Sequence, residues 1–297
     1  MRCKLNAITC LSLACAAPVV AQAPDSAFYY TATQCPSCAQ WNGPQQPFRI
    51  YGNTWFVGTR GLSAILITSP QGHILIDGGI PASAPEIIAH IRALNFLVED
   101  VRLIVNSHAH YDHAGGIAAL QRASGATVAL SPWSAGVVRA GTSGRGDPQF
   151  GILLPFAPVR DIRTIADGET LKAGSVSVTA HFTPGHTPGG TSWTWRSCEG
   201  DRCMDMVYAD SQTPISADGF FYTKSADYPN ALGDFEHGLG VLENLPCDIL
   251  LTPHPTASNL WDRIANGTIV DASACKRFVA GARAAVAKRV ATERGTP

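Results

Sequence analysis

From Phe48 onward, apolar and polar positions fall into short strand-like runs. "FRIYGNTWFVG" sets two such runs about a Gly-Asn turn, and "SAILITSPQGHILIDGG" repeats the form across Ser-Pro-Gln-Gly, so the pattern predicts two consecutive hairpins. In "SAPEIIAHIRAL" the period lengthens: Ile87, Ile88, Ile91 and Leu94 share one side of a helix, behind a Ser83 cap with Pro85 in the first turn. "VRLIV" reads as a short buried strand, "GGIAALQRASG" as a helix closed by Gly125, and "ATVAL" as the next strand; this alternation predicts an α/β fold. Residues 131–159, rich in Gly, Pro and Ser, lack a clear period and are expected to form a long functional loop. Strand signals resume in "IRTIADGETLKAGSVSVTAHFTPGH", "GGTSWTW" and "MDMVYADS"; a helix is expected over "ALGDFEHGLGVLENL", followed by the strand of "CDILLTPHP". The second half thus resembles the first, with hairpin strands, a histidine at a strand end and a helix. No linker divides the chain, so residues 22–297 are expected to form one domain of two similar halves.

Composition narrows the partner. A formal net charge of −1 without a basic stripe gives no electrostatic footprint for nucleic acid or an acidic membrane, so a small molecule is the expected partner. No apolar stripe asks for a second copy, and a monomer is the default expectation. The N-terminus, "MRCKLNAITCLSLACAAPVVAQAPDS", has Arg2 and Lys4 before a weakly apolar stretch and a small-residue end, the pattern of a secretory signal. Cleavage after Ala21 is favoured because Pro24 fits poorly just beyond the alternative site at Ala23; the signal would be residues 1–21, leaving no membrane segment after cleavage. Export implies an oxidising compartment, here the periplasm, for the six cysteines that remain. Cys198 and Cys203 flank "EGDR" as a hairpin clip, which leaves Cys247 with Cys275 as a longer staple. Cys35 and Cys38 of "CPSC" then pair locally, or serve as a redox dithiol or half a zinc knuckle; local pairing is favoured because no second CxxC exists to complete a zinc site and a redox CxxC normally opens a helix after a strand, whereas this one lies in a polar N-terminal segment.

The chemistry concentrates in "VNSHAHYDHAGG". His108, His110, Asp112 and His113 lie within six positions at a strand end, and imidazole with carboxylate is a ligand set suited to zinc. Gly115 and Gly116 are expected to let the backbone pass close to the metal and to start the next helix. His186, in the Gly-Pro-rich turn "HFTPGHTPGG", and His254, between two prolines in "ILLTPHPTASN", also follow strands. Fixing a side chain's direction in this way is costly unless direction matters. His73, His90 and His237 read as surface or packing residues, and His181 as a structural residue or a support behind the ligands.

H-x-H-x-D-H, a distant G-H-T and a P-H after an apolar strand resemble the metallo-β-lactamase superfamily. The resemblance implies a four-layer αββα sandwich and two Zn2+ per chain. His108, His110 and His186 would hold the first, and Asp112, His113 and His254 the second. Many members bridge the metals with an aspartate after a strand; here "VYADSQTP" puts Ser211 in that slot, with Asp210 one place early and facing the other way. The serine, export, the cysteine pair around His254 and the opening "QQPFRIYGNTWFVG" look like subclass B3 metallo-β-lactamases.

That resemblance implies hydrolysis of the β-lactam amide bond of penicillins, cephalosporins and carbapenems by a metal-bound hydroxide, conferring β-lactam resistance. Asp112 would orient the hydroxide, Ser211 and Thr213 would bind the substrate carboxylate, and Gln149 would reach its carbonyl. Asp77 of "ILIDGG" would hold a histidine ligand from behind. Two rivals stay open: an exported lactonase or thioester hydrolase on the same dizinc scaffold, with Asp210 as bridge, and a zinc protein without catalysis. Under the lactamase reading, Asp210→Ala is expected to leave zinc content and rate near normal.

Overall fold

The computed structural model describes residues 25–295; the expected signal at residues 1–21 lies outside them. One sheet orders its seven strands as in the chain: β1 (Phe48–Tyr51), β2 (Thr54–Phe56), β3 (Ile65–Ile67), β4 (His73–Ile76), β5 (Val101–Val105), β6 (Thr127–Leu130) and β7 (Ile162–Thr164). β1 to β4 are antiparallel neighbours, as two hairpins require, and β4 to β7 run parallel through helical crossovers. A second sheet has the order β12-β11-β10-β9-β8, from β8 (Thr170–Ala173), β9 (Val176–Phe182), β10 (Thr191–Glu199), β11 (Arg202–Tyr208) and β12 (Ile249–Leu251). The helices are α1 (Cys38–Trp41), α2 (Ala84–Ala93), α3 (Tyr111–Ala114), α4 (Ile117–Ser124), α5 (Pro132–Ala140), α6 (Ala231–Asn244), α7 (Leu260–Ala265) and α8 (Ala274–Arg294).

Strand periodicity builds the layers. Side chains alternate across a sheet, so an unbroken apolar run serves two cores at once. Ile65, Ile67, Ile74, Ile76 and Val105 meet Val178, Trp193, Met206, Tyr208, Ile249 and Leu251 between the sheets. The intervening Leu66, Leu75 and Ile104 pack on the other side with Ile87 and Ile91 of α2, Leu120 of α4 and Val138 of α5. In the second sheet Val207 and Leu250 turn outward to Leu239 and Leu242 of α6 and Val279 of α8. The result is helix, sheet, sheet, helix, the αββα sandwich.

Two expectations change. The first third of residues 131–159 is α5, capped by the Ser131 hydroxyl, which accepts from the Ser134 amide, and closed by Gly141 at φ 71°. Its apolar positions, Ala135, Val137 and Val138, are buried, but the glycine and serine among them hide the period. The Ser83 hydroxyl does not cap α2; it donates to Asn42 Oδ1 at 2.6 Å. The cysteines are bonded as Cys35–Cys38, Cys198–Cys203 and Cys247–Cys275. Among the described residues no helix is long and apolar enough to cross a membrane.

Gly116 fixes how α4 seats on this frame. A Cβ there would lie 2.2 Å from the Gly78 carbonyl oxygen, and one at Gly115 2.3 Å from the Tyr111 oxygen. The glycine pair therefore serves the approach of the histidine loop to the turn after β4 rather than an approach to metal. Gly116→Ala is expected to destabilise the fold by about 1–3 kcal/mol, as overpacking against unyielding backbone does, which urea unfolding would measure.

Candidate metal centre

The site lies where strands end. The loop after β5 carries His108 and His110, and α3 carries Asp112 and His113; His186 follows β9 and His254 follows β12. Because β11 and β12 are parallel and β9 ends beside the start of β10, these turns share one edge of the sandwich. His186 is aimed by Gly185, at φ 137°, where a Cβ would meet the Phe235 ring at 2.5 Å.

His108, His110 and His186 each offer a ring nitrogen within 4.8 Å of the others, and His108, Asp112 and His113 form a second such group. Which nitrogen is offered follows from what holds the other one. His108 Nδ1 lies 2.7 Å from Asp210 Oδ1, leaving Nε2 buried with no hydrogen-bond partner. His110 Nε2 lies 3.0 Å from Asp147 Oδ2, which leaves Nδ1. His186 Nδ1 donates to the Thr213 carbonyl at 2.8 Å, which leaves Nε2. Beside them His113 Nε2 and His254 Nε2 are 3.2 Å apart, and each is 3.1 Å from Asp112 Oδ2.

The electrostatics suit a cation. Burial, reinforced by neighbouring imidazoles, holds His108 well below the usual histidine range, and burial likewise takes His186 down to about 3. Both stay neutral, as ligands must. Burial alone would raise Asp112, but His113 and His254 outweigh it and hold the carboxyl well below the usual carboxylate range. His254 is the counterpart: burial lowers it, and the bond to Asp112 more than compensates, so its value is raised.

A metal ion fits these residues. A buried imidazole nitrogen without a partner costs about 1–3 kcal/mol and calls for an occupant. The spacing of Asp112, His113 and His254 is close to the roughly 3.3 Å that separates ligands each about 2.0–2.1 Å from one tetrahedral ion.

A cavity of about 370 Å3 opens on the cluster, lined by His110, Asp112, His186 and His254 together with Gln149, Ser211, Thr213, Trp41, Leu153 and Ile215. The three residues expected to bind substrate thus border it. A larger depression of about 850 Å3, lined by Thr68, Ser177, His181, Thr194 and Arg196, holds none of the six ligands. The convergence of ligand atoms marks the smaller one as the site.

Two residues stand differently from the sequence reading. Asp210 does not face away: it is wholly buried behind His108 and grips the ring edge remote from Nε2, which is not a bridging position. Asp77 is a hub rather than a histidine holder. It accepts from the Ser107 amide and hydroxyl, Asn106 and Tyr208 at 2.7–2.8 Å, whereas His113 Nδ1 is 3.9 Å away. His181 bonds Thr194 on neighbouring β10, away from the ligands. Among the other histidines, His90 is buried on the Val57 carbonyl, His73 is buried edge-on to Phe96, and His237 is exposed.

Asp147 and Trp41 escaped the sequence reading. Asp147 holds His110 and accepts from the Gln149 amide at 2.8 Å, and its only sequence signal is an Asp-Pro step in a glycine-rich loop. Trp41, three residues past the Cys35–Cys38 bond, tilts over His254 with ring centroids 5.9 Å apart.

The comparisons agree with this geometry. The model of the Metallo-beta-lactamase superfamily matches residues 57–264. The solved Rm3 metallo-beta-lactamase is 53% identical, with TM-score 0.86, over 88% of this chain and 99% of that one. MEM-A1, a subclass B3 metallo-beta-lactamase from a soil metagenome library, is 50% identical, with TM-score 0.84, over 86% and 99%. The chain spans 58% to 61% of the length of the curated relatives it matches first. One of these, the N-acyl homoserine lactonase AttM of Agrobacterium fabrum, is 29% identical over 153 residues, which are 44% of this chain. The six candidate ligands, the two-sheet frame and the near-complete overlap with Rm3 and MEM-A1 lead to one assignment: the chain belongs to the metallo-beta-lactamase superfamily and, within it, to subclass B3.

Proposed function

We propose that this protein hydrolyses the amide bond of β-lactams with two zinc ions, and that it does so as a monomeric, single-domain periplasmic enzyme exported by a signal at residues 1–21. The observation that carries the reading is the buried convergence of His108, His110 and His186 beside Asp112, His113 and His254 under one cavity. The first three would hold one zinc and the second three the other. When bound, zinc supplies Lewis acidity and makes water a nucleophile near neutral pH. The three disulfides are what an oxidising compartment favours.

The chain's own residues do the rest. Asp112, kept ionised by its two histidines, accepts a hydrogen bond from the attacking water and so orients it. The hydroxyls of Ser211 and Thr213 donate to the substrate carboxylate, and the side-chain NH2 of Gln149 donates to the lactam carbonyl. Trp41, Leu153 and Ile215 give apolar walls that exclude bulk water from the ring. Water adds its oxygen to the carbonyl carbon, the C–N bond breaks, and the proton released ends on the nitrogen.

The test is carbapenem hydrolysis by the purified mature protein, followed by loss of ring absorbance, with chelator and then with zinc restored. Turnover that the chelator abolishes and zinc restores is expected. Absence of turnover at full zinc loading would move the assignment to lactones or thioesters. A lactonase is the second reading, for which AttM speaks; against it, Asp210 is spent on His108 and offers no bridge.

The two metals should separate by pH. The raised His254 must lose its proton to bind, so second-site affinity should climb with pH through a value above 6.5 and then level off. His108 and His186 are already neutral there, so these two first-site ligands have no proton to lose, and the first site should depend on pH less steeply than the second. In the metal-free fold the same His254–Asp112 bond stabilises fully below pH 6.5 and is lost as pH rises through the higher folded value. Metal content after dialysis at pH 6 and at pH 8 decides; equal losses from both sites at pH 6 would refute the assignment.

A further inference from the structure

The wall of the cavity from Ser211 to Ile215 belongs to a long segment without helix or strand that runs from residue 209 to residue 230. Such a segment needs outside anchors to keep a fixed shape. Two residues near the C-terminal end of α8 supply them. Arg289 Nη2 donates to Ser216 Oγ at 2.8 Å and to the Phe220 carbonyl at 2.9 Å, and its guanidinium lies over the Tyr222 ring at 5.5 Å. Glu293 accepts the amides of Tyr222 and Thr223 at 3.0 and 2.9 Å, and its Oε1 also takes Arg289 Nε at 2.6 Å. The pair is no ordinary surface bridge, because the Glu293 side chain is only 3% exposed.

The grip reaches the cavity in two further steps. The hydroxyl of buried Tyr222 donates to the Ile215 carbonyl at 2.8 Å, and Ile215 lines the site. The Ala217 amide donates to the Pro148 carbonyl at 2.9 Å, which ties this wall to the neighbouring Gln149, another residue lining the cavity. Phe278, earlier on α8, borders the cavity itself.

We propose that Arg289 and Glu293 are positioning residues: as a clamp on residues 216–223 they set the cavity wall at Thr213 and Ile215, and through it the affinity for substrate. The inference rests on the reading that this cavity takes the substrate. Neither side chain touches the six ligands, and the clamp's own tie is to Ile215, two residues beyond the Thr213 carbonyl that holds His186, so its effect falls on substrate binding first and on metal binding less.

The experiment compares Arg289→Ala, Glu293→Gln and Arg283→Ala as full-length mature proteins loaded with zinc. Arg283 lies on the same helix but pairs with exposed Glu236 and Glu243 of α6, so it controls for general loosening of α8. In the two clamp variants KM for a carbapenem should rise about tenfold with kcat within about twofold, the mark of lost uniform binding. Zinc affinity by chelator competition should change less than KM does, because only the Thr213 carbonyl links this wall to a ligand, and Arg283→Ala should leave all three unchanged. Amide hydrogen exchange across residues 213–223 should quicken in the clamp variants while α6 keeps its protection. An unchanged KM in both variants, or zinc loss without a KM change, would overturn the clamp. If wild-type protein turns over no β-lactam, the proposed function fails, and exchange then decides the clamp by itself: unchanged protection at residues 213–223 overturns it, and selective loss there upholds it.

Discussion

Asp112→Asn should lower kcat/KM for a carbapenem by about 10³-fold, about 4 kcal/mol of transition-state stabilisation, and leave the protein with one zinc instead of two. The substitution keeps the volume and removes the charge. That carboxylate lies 3.1 Å from both His113 Nε2 and His254 Nε2 and is the only anionic group in its set of three. Without it, two imidazoles must hold a dication unaided, and the water loses the acceptor that orients it. Metal content of dialysed protein and steady-state kinetics check both parts. Two zinc ions retained with a rate within tenfold of wild type would show that Asp112 does neither job.

The next largest effect is expected at Asp210. Asp210→Ala should weaken metal binding by 10–100-fold, about the usual cost of removing the group behind a metal-bound histidine. Sequence alone pointed the other way, with near-normal zinc under the lactamase reading. In the structure the carboxylate is buried and 2.7 Å from His108 Nδ1, so its loss frees the ring and opens a small void behind it. Asp210→Asn preserves the shape and still offers an acceptor oxygen to His108 Nδ1, so it should recover part of the loss. Equal affinity in wild type and Asp210→Ala would mean that packing alone holds the ring. Since Asp210 supports a ligand in any case, loss of metal on its removal no longer distinguishes a lactamase from a lactonase; the substrate hydrolysed does.

Residue type and local period carried much of this protein. Strands β3, β4 and β5 were legible because each holds an unbroken run of three apolar residues between turn signals, which has few other uses. The ligand histidines were legible because four ligand-type side chains within six residues are rarely accidental, and because His186 and His254 sit among prolines and glycines that fix direction. The resemblance to subclass B3 rested on those same positions. Helix α8 was missed: it buries only Ala274, Cys275 and Val279, and the alanines spread over its other faces give little contrast against its charges.

What the sequence could not decide was which group stands behind which. His108 and Asp210 are 102 residues apart, and His110 and Asp147 are 37 apart, yet each pair shares a proton-bearing edge. Strand alternation put Asp210 on the wrong side because the rule holds within a strand, and β11 ends at Tyr208, two residues before it. The Arg289 clamp likewise joins a helix end to a segment with no period of its own. Local propensity and ligand chemistry are written in consecutive residues and can be read there; support of one side chain by another depends on how two sheets bring distant turns to one edge, and only the folded chain contains that information.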